Sequence, residues 1–284
     1  LSASYMLDFT KEERFQAFAS ACVASSGMLK VLDDGSELKP YNVAKTALLA
    51  LTALRMSKAG FKGHADPLGG RGFLKMMTRC EDIQLQPVFQ NGTYAIMKTY
   101  TKPYASCRYT HPSVEAAIKL RNKYHLNSSD IRKIDIITYD LAVSGHDHTD
   151  IPSSYSAKMS IPYAVAVGLI YGRAGLQEFS EEMVKNENVL CLAEKVRVKA
   201  DAQLSERFPS IQAAIETITT QFGTYTERVD YPKGEPENPL TENEFQCRYS
   251  MLMMYAGING SIADSVYKKI MQYSVTVEEI LENL

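Results

Sequence analysis

The period of the hydrophobic residues changes twice along the chain, and this constrains the fold more than any other feature. Val43, Ala47 and Leu51 recur at the spacing of a helix face. From Val196 onward, apolar residues alternate with charged ones, which is the period of a half-buried strand. After residues 232–239, which contain three prolines and one glycine, the pattern is helical again. The sequence therefore predicts an α+β fold, in which a mostly helical domain carries an inserted α+β lid domain.

These changes divide the chain into three predicted segments. Residues 1–84 form the first part of the helical domain, residues 85–233 form the lid, and residues 234–284 form the second helical part. Thr241 and Glu244 have the spacing of a capping box, which marks the start of a helix soon after the second boundary. A cleft between the helical domain and the lid would be the natural place for a ligand.

Strands and a helix are predicted inside the lid. Residues 94–100 and 131–141 are rich in aromatic and β-branched residues, which favours strands. Residues 215–231 contain a central Phe-Gly step and read as a hairpin with a charged outer face. Between these strands, His111 followed by Pro112 predicts the start of a helix, because proline suits the first turn.

Charge and cysteine content exclude several classes of protein. The 284 residues include 31 basic and 33 acidic side chains, so the net charge of -2 argues against nucleic acid and anionic membranes as partners. An acidic substrate would therefore be bound by a local cluster of positive groups. The five cysteines are scattered and form no CxxC pair, which argues against a disulfide framework or a structural zinc site. We therefore expect a cytoplasmic protein.

The densest cluster of functional side chains lies between a predicted strand and the helix that begins at His111. It contains Lys102, Tyr104, Cys107 and Arg108. Lysine, arginine, histidine and a helix N-terminus together could hold the carboxylates of a substrate. The alternative is a solvated basic loop with a capping histidine, and for Cys107 a buried, inert thiol.

Two further places carry candidate residues. His146 and His148 flank an aspartate, but residues two apart in an extended segment point to opposite faces, so a shared metal ion fits poorly. One histidine acting as a proton donor or acceptor fits better, and an exposed polar loop is the alternative. Lys39 precedes a proline and a predicted helix, where it could neutralise a substrate carboxylate or be a plain surface lysine.

Several segments, in order along nearly the whole chain, resemble the MmgE/PrpD family. The most characteristic is Lys102-Pro103-Tyr104 followed by Cys107-Arg108-Tyr109-Thr110-His111-Pro112. The other matching segments are residues 26–28, 34–36, 71–74, 157–166 and 234–241. The family includes 2-methylcitrate dehydratases, cis-aconitate decarboxylases and iminodisuccinate epimerases, so the resemblance implies a helical domain with an α+β lid.

The resemblance also implies roles and partners. Lys39 and Lys102 fall at positions where family members carry active-site lysines, and His148 falls where they place a tyrosine or histidine. The substrate-binding candidates are Tyr104, Cys107, Arg108 and His111. A small polycarboxylate substrate, a homodimer, and neither metal nor organic cofactor are expected by the same resemblance.

Two functional hypotheses follow. The first is a lyase or isomerase that removes a proton next to a carboxylate while lysines stabilise the negative charge. The second is a catalytically inactive or truncated relative that keeps the fold and acts as a carboxylate-binding or partner subunit. Two features motivate the second: the family's helical domain extends upstream of the position that matches Leu1, and Asn42 replaces a histidine usual in the family.

Overall fold

The computed structural model describes residues 1–28, 38–80, 83, 85, 94–272 and 276–282. The chain divides into two compact units, Leu1–Thr93 and Tyr94–Leu284. Among the described residues, no helix combines the length and apolarity needed to cross a membrane.

The first unit is helical. Its helices are α1 (Ser2–Met6), α2 (Lys11–Ala24), α3 (Leu38–Lys58) and α4 (Phe73–Thr78). Helix α2 begins with a complete capping box, in which Thr10 and Glu13 each accept a hydrogen bond from the other's backbone N–H. Helices α2 and α3 pack together, and the Ser57 hydroxyl donates to the Glu13 carbonyl oxygen at 2.7 Å.

The second unit is built on a four-stranded mixed sheet. Its strands are β1 (Ile131–Thr138), β2 (Val196–Ala200), β3 (Ala214–Thr220) and β4 (Thr224–Val229), in the order β2-β1-β3-β4. Strand β2 runs parallel to β1, while β3 is antiparallel to both β1 and β4. Parallel pairing requires a long crossover, and the chain between β1 and β2 supplies it as a run of helices.

The helices of this unit are α5 (His111–Tyr124), α6 (Asp140–Val143), α7 (Ser154–Met159), α8 (Ile161–Tyr171), α9 (Glu187–Ala193), α10 (Ala202–Arg207), α11 (Glu242–Tyr255), α12 (Gly260–Met271) and α13 (Val277–Glu282). Of these, α5 packs against β3 and β4, and α6 and α8 pack against β2. Nearly every residue of α8 is buried, and the helix packs against α5 and α9. Burial alternates along β3, so every second side chain of that strand faces the core.

The α+β class is confirmed, and so are the strand predicted from residue 196 and the hairpin of residues 215–231. The strand predicted for residues 131–141 is confirmed as far as Thr138, whereas residues 140–141 belong to α6. The strand predicted for residues 94–100 is wrong, because Ala95–Lys98 form a 3-10 helix. Tyr94 and Ile96 are 78% and 71% exposed, and no described strand pairs with this segment, so β-propensity alone does not make a strand here.

Some predictions stay open. The boundaries of an inserted lid at residues 85 and 233 stay a prediction, since the two units are described separately. Residues 34–36, which form part of the family resemblance, lie outside the described residues.

Candidate functional site

The loop that precedes α5 is fixed by backbone hydrogen bonds to distant parts of the second unit. The Thr101 N–H donates to the Gly234 carbonyl oxygen at 2.9 Å, and the Cys107 N–H donates to the Lys158 carbonyl oxygen at 2.7 Å. The first bond reaches the linker of residues 232–239, and the second reaches the end of α7. The conformation of this loop is therefore set by segments far away in sequence.

Lys102 extends from this loop with an exposed side chain. Its Nζ donates to the Ser106 carbonyl oxygen at 3.2 Å. Its own carbonyl oxygen accepts a hydrogen bond from Arg248 Nε on α11 at 2.6 Å. An ammonium group carries three N–H donors, so the bond to Ser106 is compatible with a salt bridge to a substrate carboxylate.

Arg108 is only 5% exposed and its guanidinium is held by internal partners. Nη2 forms an ion pair with Glu235, and Nη1 donates to Nδ1 of His111 at 2.9 Å. The Tyr100 ring covers one face of the guanidinium, with its centroid 4.5 Å from Cζ. Nε is buried without a hydrogen-bond partner among the described residues. In this arrangement the arginine does not present a bidentate fork to a substrate.

His111 is completely buried, and its tautomer follows from its neighbours. Because a guanidinium only donates, Nδ1 accepts from Arg108, and the proton lies on Nε2, which is 3.4 Å from the Ser106 carbonyl oxygen. Burial, together with the charges of Arg108 and Lys102, holds the pKa of His111 well below 6.5. A neutral imidazole at this position adds no positive charge to an anion site.

The two remaining loop candidates have different surroundings. The Tyr104 ring packs edge-on against the His111 ring, with centroids 5.1 Å apart, and burial raises the pKa of its phenol far above 10. Cys107 is half-buried and forms no disulfide. Tyr104 can therefore act only as a neutral hydrogen-bonding group at physiological pH.

Two glutamates that the sequence did not single out fasten the linker of residues 232–239 to α5. Glu115, 6% exposed, accepts from the Lys233 N–H and forms an ion pair with Lys119 at 2.8 Å. Glu235 is the partner of Arg108. The sequence contains only weak signals for a role of these two glutamates: Glu115 stands one helical turn after His111, and Glu235 lies among prolines.

The histidine pair lies next to the loop. His146 is buried, its Nδ1 donates to the Ser144 carbonyl oxygen at 2.8 Å, and its ring meets the Tyr109 ring edge-on at 5.2 Å. Tyr109 belongs to the loop before α5, so the structure brings together the two clusters that the sequence placed far apart.

His148 is half-buried and makes contacts that differ from those of His146. Its Nε2 lies 3.1 Å from Ser156 Oγ, which itself donates to the Asp150 carbonyl oxygen at 3.3 Å. The hydroxyl proton is thereby used, so Nε2 donates and Nδ1 carries the lone pair. Nδ1 has no hydrogen-bond partner in the described part of the chain. The Ser160 hydroxyl fixes the backbone by donating to the His148 carbonyl oxygen at 2.6 Å.

Lys39 belongs to the first unit, in the first turn of α3. The sequence placed it before a helix from about residue 43, but α3 begins at Leu38 because Pro40 is compatible with a first helical turn. The active-site roles that the resemblance implies for Lys39 and Lys102 concern residues of different units, and they stay predictions.

A cavity of about 260 Å³ lies beside Glu235. Its lining includes Lys98 and Gln212 together with the carboxylates of Asp230, Glu235 and Glu237. Asp230 forms an ion pair with Arg228, and Glu235 with Arg108, so arginines outside the lining balance two of these three charges. Among the described residues, no three His, Cys, Asp or Glu side chains are grouped as metal ligands.

Fold and site together define an α+β protein in which a lysine-bearing loop, clamped by a proline-rich linker, precedes a buried helix. Comparison with known families gives a more specific result. The MmgE/PrpD C-terminal domain matches residues 104–254, just over half of the chain, and the chain belongs to the MmgE/PrpD family. The resemblance read from the sequence is thus confirmed.

Two curated relatives extend the match. The chain is similar to a cis-aconitate decarboxylase of Aspergillus terreus, with 26% identity over 285 aligned residues, covering 93% of this chain and 56% of that protein. It is also similar to a 2-methylcitrate dehydratase of Escherichia coli, with 23% identity over 81% of this chain and 50% of that protein. The chain spans about half the length of these relatives.

Proposed function

We propose that this chain takes part in a cofactor-independent lyase or isomerase reaction on a small di- or tricarboxylic acid, by proton transfer next to a carboxylate. The family match carries the proposal, because the matched residues include His148 and most of the loop before α5. The named relatives, a decarboxylase and a dehydratase, support the same kind of substrate.

In this proposal Lys102 binds a substrate carboxylate through its exposed ammonium group. When the neighbouring carbon loses a proton, negative charge spreads onto that carboxylate, and a fixed cation stabilises it more than it stabilises the ground state. We also propose Lys39 as a residue that binds a carboxylate.

His148 is the proposed acid–base residue, with Nδ1 as the reacting atom. In a dehydration, Nδ1 takes the proton, the C–H electron pair forms a carbon–carbon double bond, and the hydroxyl group leaves as water after receiving that proton back from the imidazolium. In a decarboxylation, the bond to the departing carbon dioxide breaks, its electron pair stays on the carbon, and that carbon takes a proton from His148, which regains one from water. Two hydrogen bonds hold the ring in place: Nε2 bonds to Ser156, and the His148 carbonyl oxygen accepts from the Ser160 hydroxyl.

Arg108 and His111 support the loop in this proposal, and Tyr104 and Cys107 lie beside the substrate. The ion pair of Arg108 with Glu235 and the neutral state of His111 favour this supporting role over direct binding of an anion. Their direct participation would require Arg108 to leave Glu235.

The test is to incubate the purified chain with 2-methylcitrate, citrate and cis-aconitate. Unsaturated products are followed by absorbance, and deuterium wash-in from heavy water is followed by mass spectrometry. We expect proton exchange that is lost in Lys102→Met and His148→Gln but kept in Lys133→Met, a control on the exposed side of β1. A folded protein that exchanges no proton in any of these acids would refute a catalytic role.

A second candidate function is carboxylate binding without turnover, favoured by Asn42, which stands where the family usually carries a histidine. Calorimetric binding of citrate with no deuterium wash-in would identify it. For either function we propose a homodimer, which light scattering on the eluting protein would test.

A further inference from the structure

The main chain on both sides of Lys102 is held by the C-terminal part of the second unit. The Thr101 N–H just before it donates to the Gly234 carbonyl oxygen at 2.9 Å. The carbonyl oxygen of Lys102 itself accepts from Arg248 Nε at 2.6 Å. The first bond fixes the peptide plane between Tyr100 and Thr101, and the second fixes the plane between Lys102 and Pro103. Together they restrict the direction in which the Lys102 side chain leaves the loop.

The first of these bonds depends on a glycine. Gly234 has φ +93°, and a Cβ added there would lie 1.8 Å from the Thr101 carbonyl oxygen. A side chain at this position would therefore push the loop away from the linker, so the contact between Thr101 and the linker requires glycine at position 234.

The second bond connects the loop to α11, which also packs against α12 through the Tyr249 side chain. No residue of α11 is buried, and Lys233 bridges to Glu244 in its first turn at 3.0 Å. The Arg248 side chain, one turn further along, makes the direct contact with the loop. Any shift of α11 is therefore transmitted to the Lys102 carbonyl group.

We propose that Arg248 is a positioning residue for Lys102, acting through the hydrogen bond from Nε to the Lys102 carbonyl oxygen. This inference rests on the proposed function, in which Lys102 binds a carboxylate. Arg248 does not touch the substrate; it keeps the ammonium at the distance and angle that the acid requires. Because its partner is a neutral carbonyl group, the positioning effect depends on the Nε–H donor and not on the positive charge of the guanidinium.

The side chain can be replaced so that donor and charge are separated. Arg248→Gln places an amide nitrogen at the same number of bonds from the backbone as Nε, and it removes the charge. Arg248→Lys keeps the charge but puts a methylene group where Nε stood. Arg248→Met removes both. Arg132→Met is the matched control, since Arg132 is an exposed arginine of the same unit with no hydrogen bond or ion pair to any described residue.

The experiment measures the dissociation constant of citrate and cis-aconitate by calorimetry on the full chain, and amide hydrogen exchange of the loop before α5. We expect binding to weaken about tenfold in Arg248→Lys and Arg248→Met, which corresponds to one lost hydrogen bond. Arg248→Gln should stay within about twofold of wild type on the same scale. Amide hydrogen exchange of the loop before α5 should become faster in Arg248→Lys and Arg248→Met, and not in Arg248→Gln.

Each outcome has one meaning. If Arg248→Lys binds like wild type while Arg248→Gln fails, charge rather than positioning is involved, and the inference is overturned. If loop exchange rises without any loss of binding, the bond is structural only, which also overturns it. If Lys102→Met binds acids as well as wild type, the proposed function itself fails, and this result is separate from the other two.

Discussion

Replacing Glu216 with methionine should stabilise the second unit, and the gain should grow with pH. Glu216 lies in β3, fully buried, and neither carboxyl oxygen has a hydrogen-bond partner among the described residues. Burial raises the pKa of this carboxyl well above 4.5, so the folded protein holds it protonated. Methionine has similar length and no polar atoms to leave unsatisfied.

The expected magnitude has two parts. A buried polar group without a partner costs about 1–3 kcal/mol, and methionine removes this cost at every pH. The second part comes from proton release, because the unfolded chain ionises above pH 4.5 while the folded carboxyl stays neutral. The free energy of unfolding of the wild type therefore falls by about 1.4 kcal/mol per pH unit from that point up to the folded pKa. At pH 5.5 the total gain is about 2–4 kcal/mol.

The assay is urea denaturation followed by circular dichroism between pH 4 and pH 8. Glu216→Gln is the discriminating partner, because it abolishes ionisation but keeps an unsatisfied polar group. The free energy of unfolding of Glu216→Gln should match that of the wild type at low pH and should exceed it by a growing amount as the pH rises. Glu194→Met, at an exposed position, should change stability by less than about 0.5 kcal/mol. A methionine variant whose advantage does not grow with pH, or that is less stable than wild type, would refute the reasoning.

Three further predictions concern the same unit. His111→Asn keeps an acceptor for Arg108 but cannot ionise. Because burial lowers the pKa of His111, the wild type should lose stability as the pH falls below about 6.5, and the variant should lose less. Melting temperatures at pH 5 and pH 7 measure this difference. Gly234→Ala should cost more than about 2 kcal/mol, measured by urea denaturation, because its Cβ would clash with Thr101. Ile218→Ala should cost about 2–5 kcal/mol in the same assay, since Ile218 is fully buried in β3.

The sequence predicted those parts of the fold that depend on local pattern. His111 followed by Pro112 predicted the start of α5, and the structure has Pro112 in the first turn of that helix. The alternation from Val196 gave β2. Such signals need only a few neighbouring residues, so one sequence is enough to read them.

Strand order and the state of the site residues depend on contacts between distant segments, which a local pattern does not contain. The parallel pairing of β1 with β2 brings Ile134 opposite Val196, across a crossover that no motif specifies. The residue type of Arg108 suggested an anion site, but its ion pair with Glu235 joins residues far apart in sequence. The tautomer of His111 follows from its hydrogen bond with Arg108, the residue that this ion pair holds.

This contact changes how an acid could be recognised. The sequence offered lysine, arginine and histidine as three cations of one loop, but Glu235 balances the charge of Arg108 and burial keeps His111 neutral. Neither adds to the attraction for a polycarboxylate, so in the proposed function the positive charge comes from lysine side chains, with Lys102 as the main candidate and Lys39 as a further one. We therefore expect Arg108→Met to cause a large fall in the melting temperature and only a small loss of citrate binding. Lys102→Met and Lys39→Met should show the opposite pattern, with weaker citrate binding and a nearly unchanged melting temperature. The reverse pattern in calorimetry would show that Arg108 leaves Glu235 to hold the acid itself.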